Sequence, residues 1–482
     1  MSSASPSRAD RPRPRHRGWA LALLAFAQLI IALDYTIVYV ALPEIGSQLG
    51  FSGHTLQWVV SGYAVAFGGF LLLGGRAADA LGRRRMFVLA LVLYAGSSLL
   101  GGLATGAALL VAARVVQGIG GALLFPATLS LVNTSFAEGR ERNRALAVWG
   151  TAGATGLSLG SLLGGALTEA FGWEAVFFVN VPLAAVVALL PFRYIPRDPA
   201  RERGRSFDLP GALAATGGVT LLVIALVQGP ESGWGSTEVL GAGALAVALL
   251  ALFVAIEARS REPLMPLRLF VNRSLSSAMA VTFVFMGTLG ALPYFLTLYF
   301  QTVHGYGALT TGLAFLGPSL SIAAGTILGE RLVARRGMRV TLAGGLTAGA
   351  AGLAVLAATM SADATYLALL PGIVIMGVGQ GVAWTSMWIA AGNGVAEGEQ
   401  GIASGMASTT QQVGAAVGLA LLIAISADGL DGLAGEPLRT ATADGLQSAV
   451  YVSAAALLVG VLATLGLRRS RPEPAAAAAS AR

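Results

Sequence analysis

Apolar residues along this chain come in long blocks, without the strict alternation of strands or the one-sided stripe of a soluble helix. Cutting at charged or turn-rich breaks divides the 482 residues into about fourteen apolar segments. Each holds roughly 20 residues, the length that carries a helix across ~30 Å of hydrocarbon. They lie near 18–42, 55–77, 86–104, 108–132, 143–168, 174–193, 209–229, 238–258, 274–300, 310–332, 340–360, 365–390, 403–427 and 446–468. The pattern predicts an all-α polytopic membrane protein. The basic start, "RADRPRPRHRGW", runs into an apolar block too long for the core of a signal peptide. It therefore reads as a retained first helix behind a cytoplasmic tail.

The location of arginine gives an independent check on the cutting. With the N-terminus inside, the cytoplasmic stretches are "RAADALGRRR", "AEGRERNR", "RYIPRDPARERGRSFD", "EARSREPLMPLRLFVNRS", "ARRGMR" and the tail "RRSRPEP". Apart from Arg114 within a helix, Arg439 alone falls outside, as positive-inside topology requires for an even helix count. Both termini are expected in the cytoplasm of a bacterial cell, in its plasma membrane. The bacterial reading rests on alanine richness and on basic residues that are all arginine.

Composition then removes function classes. The chain is 55% hydrophobic and 11% charged, has no cysteine, and has three scattered histidines. Thiol chemistry, disulfides and thiolate metal sites are excluded, no clustered metal site suggests itself, and no nucleophile–base constellation suggests an enzyme. Without lysine there is no Walker A sequence, which excludes a single-chain ATP pump of that kind. The net charge of +7 follows topology and does not call for a nucleic-acid partner.

Three short echoes recur at a spacing of about 255–260 residues. "QGIGGALLFPA" (117–127) echoes "MGVGQGVAWTS" (376–386), and "GLSLG" (156–160) echoes "GAAVG" (414–418). "GGRAADALGRRR" (74–85) has a decayed counterpart in "GERLVARRGMR" (329–339). Helices 1–6 thus repeat as 9–14 with helices 7 and 8 inserted, and two six-helix halves are a transporter architecture. The expected divisions are a tail (1–17), a first bundle (18–193), a linker with the inserted pair (194–273), a second bundle (274–468) and a tail (469–482).

"GRAADALGRRR" (75–85) resembles the cytoplasmic signature G-x-L-A-D-R-x-G-R-R/K of the major facilitator superfamily. Gly75, Asp79, Gly82, Arg83 and Arg84 match, with Ala77 and Ala80 departing. The resemblance implies a conformational latch, in which Asp79 accepts from helix N–H groups or pairs with arginine. "RVVQGIGGALLFPA" (114–127) resembles the helix-4 signature R-x-x-Q-G-x-G-x-A through Arg114, Gln117, Gly118, Gly120 and Ala122. "GLSLGSLLGG" (156–165) is similar to the antiporter signature G-x-x-x-G-P-x-x-G-G. Gly156, Gly160, Gly164 and Gly165 match, and Ser161 stands where the family has proline. A serine there can still bond back to a carbonyl and bend the helix slightly.

"LDYTIVYVALP" (33–43) resembles the helix-1 signature of the 14-helix drug/proton antiporters, with Tyr39 in place of asparagine. "VNVP" (179–182), "FDLPG" (207–211) and "PLMPLRLF" (263–270) extend the likeness over nearly the whole chain. The resemblance implies proton-coupled efflux of lipophilic drugs or antibiotics by a monomer, with no cofactor beyond the proton gradient. A dedicated exporter of a secondary metabolite and a solute importer of the same fold are the alternatives.

Counting residues from the helix ends puts Asp34 about 12 Å and Arg114 about 10 Å from the outer boundary, at 1.5 Å per residue. A carboxylate and an arginine at one depth of one bundle are candidates for proton coupling, and a purely structural pair is the competing reading. Candidate cavity residues are Gln28, Tyr35, Tyr63 and Gln117 in the first half. In the second half they are Gln380, Trp384, Trp388 and Gln411. Aromatic faces with few fixed charges suit neutral, weakly charged or monocationic lipophiles.

Overall fold

The computed structural model describes residues 14–52, 55–136, 140–195, 208–260, 263–392, 400–427, 429–430 and 433–467. Among these the chain is helical throughout. In the first half the helices are α1 (Pro14–Leu49), α2 (Trp58–Leu81), α3 (Arg83–Gly102), α4 (Ala107–Ser135), α5 (Arg140–Phe171) and α6 (Ala175–Tyr194). An inserted pair follows, α7 (Leu209–Ser232) and α8 (Thr237–Arg259). The second half holds α9 (Arg273–Val303), α10 (Ala308–Arg336), α11 (Met338–Thr359), α12 (Tyr366–Gly392), α13 (Gln400–Ser426) and α14 (Gly435–Ala463). Eleven helices of the described residues are long and apolar enough to cross a membrane. The stretches Trp58–Leu71 and Pro210–Leu226, within α2 and α7, are shorter apolar helices. The expected fourteen spans are consistent with this order.

Two compact units emerge, residues 1–264 with 306–313, and residues 265–305 with 314–482. The internal repeat is visible in their pairings. In the first unit α1 packs on α5, α2 on α4, α3 on α4 and α3 on α6. In the second, α9 packs on α13, α10 on α12, α11 on α12 and α11 on α14. The inserted α7 lies against α2, where Thr216 Oγ1 donates to the Gly69 carbonyl at 2.7 Å.

Lipid offers no hydrophobic drive between helices, so small residues that let backbones touch become the adhesive. The glycines of the 156–165 signature act in this way. A Cβ on Gly156 would come within 2.6 Å of the Leu29 carbonyl, and one on Gly160 would collide with Thr36 Oγ1 and the Leu33 carbonyl. Gly164 meets the Ile37 carbonyl in the same manner. The second unit copies the joint: Gly414 faces the Phe283 carbonyl and Gly418 faces Gly287 directly. Gly165 points elsewhere in the first unit, to the Ala308 carbonyl at 2.5 Å from its would-be Cβ.

Arg439, the exception to positive-inside topology, is neutralised locally. It donates to the Ala362 carbonyl at 2.9 Å and to Asp363, with Glu436 3.6 Å from its Nε. The same corner is fastened by Tyr299, whose hydroxyl donates to the Ser361 carbonyl at 2.7 Å. His304 stacks edge-on to the Tyr299 ring at 4.7 Å. Burial and then the nearby Arg439 charge lower its pKa below the usual 6.5, against the pull of Asp363.

Two outcomes follow from these contacts. Gly418→Leu must force α13 from α9 and costs more than about 1–3 kcal/mol, read as a loss of monodisperse protein or a lowered Tm in detergent. At His304 the unfolded chain takes up protons first, so the histidine's contribution to stability is complete above about pH 6.5 and falls as the pH drops below it. His304→Gln removes that part of the pH dependence of Tm.

Candidate functional site

Asp34 lies mid-way along α1, within a block whose apolar neighbours keep the helix in hydrocarbon and out of water. It is fully buried, and so is Arg114 on α4. The two form a direct ion pair, Arg114 Nη1 to Asp34 Oδ2 at 2.8 Å. Similar depth, inferred from residue counting, thus becomes contact.

Such a pair survives only if its remaining donors and lone pairs are met, because desolvating two charges costs several kcal/mol per ion. The surroundings meet most of that demand. Arg114 Nε donates to the Val59 carbonyl of α2 at 2.8 Å, and Nη1 also reaches Gln117 Oε1 at 2.8 Å. The guanidinium lies over the Tyr63 ring, 4.4 Å from its centroid, where the π-face favours a cation. Gln117 Nε2 donates to Asp34 Oδ1 at 2.9 Å and to Ser98 Oγ of α3 at 2.7 Å. Asn180 on α6 donates from Nδ2 to the same Oδ1 at 2.7 Å. Side chains of α4 and α6 therefore bond the α1 carboxylate directly, Arg114 and Gln117 link it on to α2 and α3, and the α5 glycines pack against the backbone on either side of it.

Sequence reading missed Asn180 and Ser98 as members of this cluster. Asn180 had a signal, since it sits in the "VNVP" stretch, but nothing in its spacing tied it to Asp34. Gln117, expected in a substrate cavity, is fully buried within the network, and Tyr63 is sealed beneath Arg114.

Residues 24–419 match the Major Facilitator Superfamily. The chain belongs to the major facilitator superfamily. It is thus a multi-pass membrane transporter and not an enzyme. It is 39% identical over 457 residues to the puromycin resistance protein pur8 of Streptomyces alboniger, covering 94% of this chain and 90% of that protein. It is 38% identical over 460 residues to the cephamycin export protein CmcT of Amycolatopsis lactamdurans, covering 94% and 93%. Among solved structures, the inward-open xylose transporter XylE from E. coli superposes with a TM-score of 0.63 at 14% identity, covering 95% of this chain and 98% of that one. That likeness concerns fold alone.

Within this superfamily chain the latch signature divides into parts. Gly82, at φ +107°, makes the sharp passage from α2 to α3 that a side chain would strain. Gly75 has room for a Cβ, with Pro126 Cβ 3.8 Å away, whereas neighbouring Gly74 presses on the Ala122 carbonyl. Arg84 donates to the Ile195 carbonyl at 3.1 Å and lies 5.1 Å from the Phe192 ring centroid, tying α3 to the end of α6. Arg83 is half-buried beside it. The side chain of Asp79 lies outside the described residues.

Ser161 is buried on α5, and the carbonyl one turn before it, Leu157, accepts from Thr36 Oγ1 of α1 at 2.9 Å. Among the described residues the Ser161 hydroxyl makes no bond back to that carbonyl; the side-chain donor it receives is inter-helical, from Thr36. Gln28 and Tyr35 are half-buried; Gln28 Nε2 is 3.0 Å from where a Gly153 Cβ would lie, and Tyr35 meets Tyr39 and Tyr63 edge-on at 6.2 and 6.4 Å. In the second unit Trp384 lies 5.9 Å from Trp388 and 6.0 Å from Phe285, a continuous aromatic strip with Gln380 half-buried one turn before it. Gln411, on α13, is also half-buried.

Breaking the pair from one side leaves the other charge buried. Arg114→Met is expected to cost about 3–5 kcal/mol, and adding Asp34→Leu should restore part of it, because the double substitution leaves no unpaired ion. Thermal unfolding of the four proteins in one detergent measures this coupling.

Proposed function

We propose that the chain exports lipophilic antibiotics or drugs, with protons moving in the opposite direction. One observation carries this reading: a fully buried carboxylate midway along a helix, Asp34, bonded by side chains of α4 and α6 and linked through Arg114 and Gln117 to α2 and α3. A proton arriving at Asp34 would neutralise the charge that attracts Arg114 and the two amides. The bonds that gather α1, α2, α4 and α6 would weaken together. Alternating access supplies the opening that the closed site needs before a proton can enter or leave.

In the proposed cycle, ionised Asp34 keeps its network and the protein takes up substrate from the cytoplasmic side. Protonation from outside loosens the network, favours release, and permits return with the proton. Inward movement of one charge makes available about 2.3 kcal/mol per 100 mV. The names of relatives that confer puromycin resistance and export cephamycin support the outward direction and an antibiotic-like substrate. The half-buried pair Trp384 and Trp388, backed by the buried Phe285, supports a substrate with a flat apolar face. The cytoplasmic placement of both termini and function as a monomer belong to the same proposal.

A panel of lipophilic compounds, puromycin among them, taken up by inverted vesicles with an acidic lumen tests this reading. Wild-type protein should concentrate at least one compound in proportion to the pH gradient, and Asp34→Asn should abolish gradient-driven uptake. Proton-dependent movement that survives Asp34→Asn removes Asp34 from coupling. Accumulation driven by the opposite gradient would make the chain an importer.

A further inference from the structure

The bonds around Asp34 satisfy the carboxylate in its ionised form alone. Its Oδ2 accepts from Arg114 and its Oδ1 accepts from Gln117 and Asn180, so these partners act as donors. A proton on the carboxyl turns one oxygen into a donor, and a buried O–H without an acceptor is costly. The protonated state therefore needs a neighbour that can exchange donor for acceptor.

The candidates are not equivalent. A guanidinium has no acceptor. The Gln117 amide is locked at both ends, with Oε1 on Arg114 and Nε2 on Ser98 as well as Asp34. Reversing it would face its NH2 against the guanidinium. Tyr63 of α2 and Tyr94 of α3 also end in buried hydroxyls without a hydrogen-bond partner among the described residues, but neither hydroxyl is bonded to Asp34, and the Tyr63 ring is pinned under Arg114. On α1 itself, Tyr35 and Tyr39 face each other. From α5 the facing residues are Gly156 and Gly160, which carry no such group.

Asn180 differs from all of these. Its Nδ2 holds Asp34 at 2.7 Å, with a long second contact to the Val176 carbonyl at 3.4 Å. Its Oδ1 is buried and, among the described residues, has no hydrogen-bond partner. The present orientation is the one that suits an ionised carboxylate, since the reversed amide would set two lone pairs against each other. Turning the amide over sacrifices no bond at the Oδ1 end and brings an acceptor to Asp34.

We propose that Asn180 is the positioning residue that accommodates both charge states of Asp34, donating to the carboxylate and, after its amide turns over, accepting from the carboxylic acid. The proton itself comes from solvent and stays on Asp34; no covalent bond to Asn180 forms. Proton arrival is thereby felt on α6, through the one side chain that must rotate. This inference rests on the coupling reading above.

Infrared difference spectra between alkaline and acidic pH test it on the full-length protein in lipid, with asparagine carrying 13C in the side-chain amide. The chain has five asparagines, at 133, 143, 180, 272 and 393, so the background is small. The expected result is a carboxylic-acid band that disappears in Asp34→Asn, accompanied by a shifted amide band that disappears in both Asn180→Leu and Asn180→Thr. Gradient-driven uptake should fall about tenfold or more in Asn180→Leu. Asn180→Thr, whose hydroxyl can donate and accept, should recover much of it. An Asp34 carboxyl band without any asparagine change overturns the switch and leaves coupling standing. If no Asp34-dependent carboxyl band appears at any pH, coupling fails and the switch with it. Should Asn180→Leu not yield folded protein, the spectra of labelled wild type, Asn180→Thr and Asp34→Asn still decide the matter.

Discussion

An ion pair with almost no exposure to water dictates much of the first unit's construction. Asp34 and Arg114 are tolerable in the bundle because both Asp34 oxygens and the Nε and Nη1 of Arg114 bond groups held in place. That requirement fixes the roll of α4, which must present Arg114 and Gln117 one turn apart. It fixes α6, which brings Asn180, and it holds the Val59 carbonyl of α2 against the guanidinium. Helices this close need thin contact faces. Gly156, Gly160 and Gly164 on α5 therefore belong to the same physical problem as the charges, although none touches Asp34.

The second unit shows what the scaffold is without that problem. Gly414 meets Phe283 as Gly156 meets Leu29, so the register places Thr288 where α1 has Asp34. Along α12, the "MGVGQ" echo puts Ile373 and Met376 where α4 has Arg114 and Gln117. Thr288 satisfies itself within its own helix, on the Val284 carbonyl at 2.7 Å. The backbone joint has been kept in both halves while the charge cluster occurs in one. One half thus carries an ion pair that the other lacks at the matching positions, on a shared frame.

The sequence made legible those features that repeat or obey simple counting. Helix order, arginine sidedness and the glycine register all come from patterns with a period or a side, and they locate Asp34 and Arg114 at one depth. What counting cannot supply is rotation about a helix axis. Gln117 reads equally well as a cavity residue or as part of the charge network, and only packing turns it inward. Asn180 lies 146 residues from Asp34 in the chain, so its pairing depends on how α6 is docked. Gly75 shows the opposite error: the motif residue has space, while Gly74, outside the quoted signature, makes the close approach.

The bond from Thr36 to the Leu157 carbonyl bears on how such chains diverge. The signature that residues 156–165 resemble has proline at the position of Ser161, and a proline strips the carbonyl four residues earlier of its helical donor. Here that carbonyl already has a donor from another helix. A change between serine and proline at this position would leave no stranded oxygen in the membrane. The bend in α5 can therefore be gained or shed in a lineage by one substitution, without first rebuilding its contact with α1.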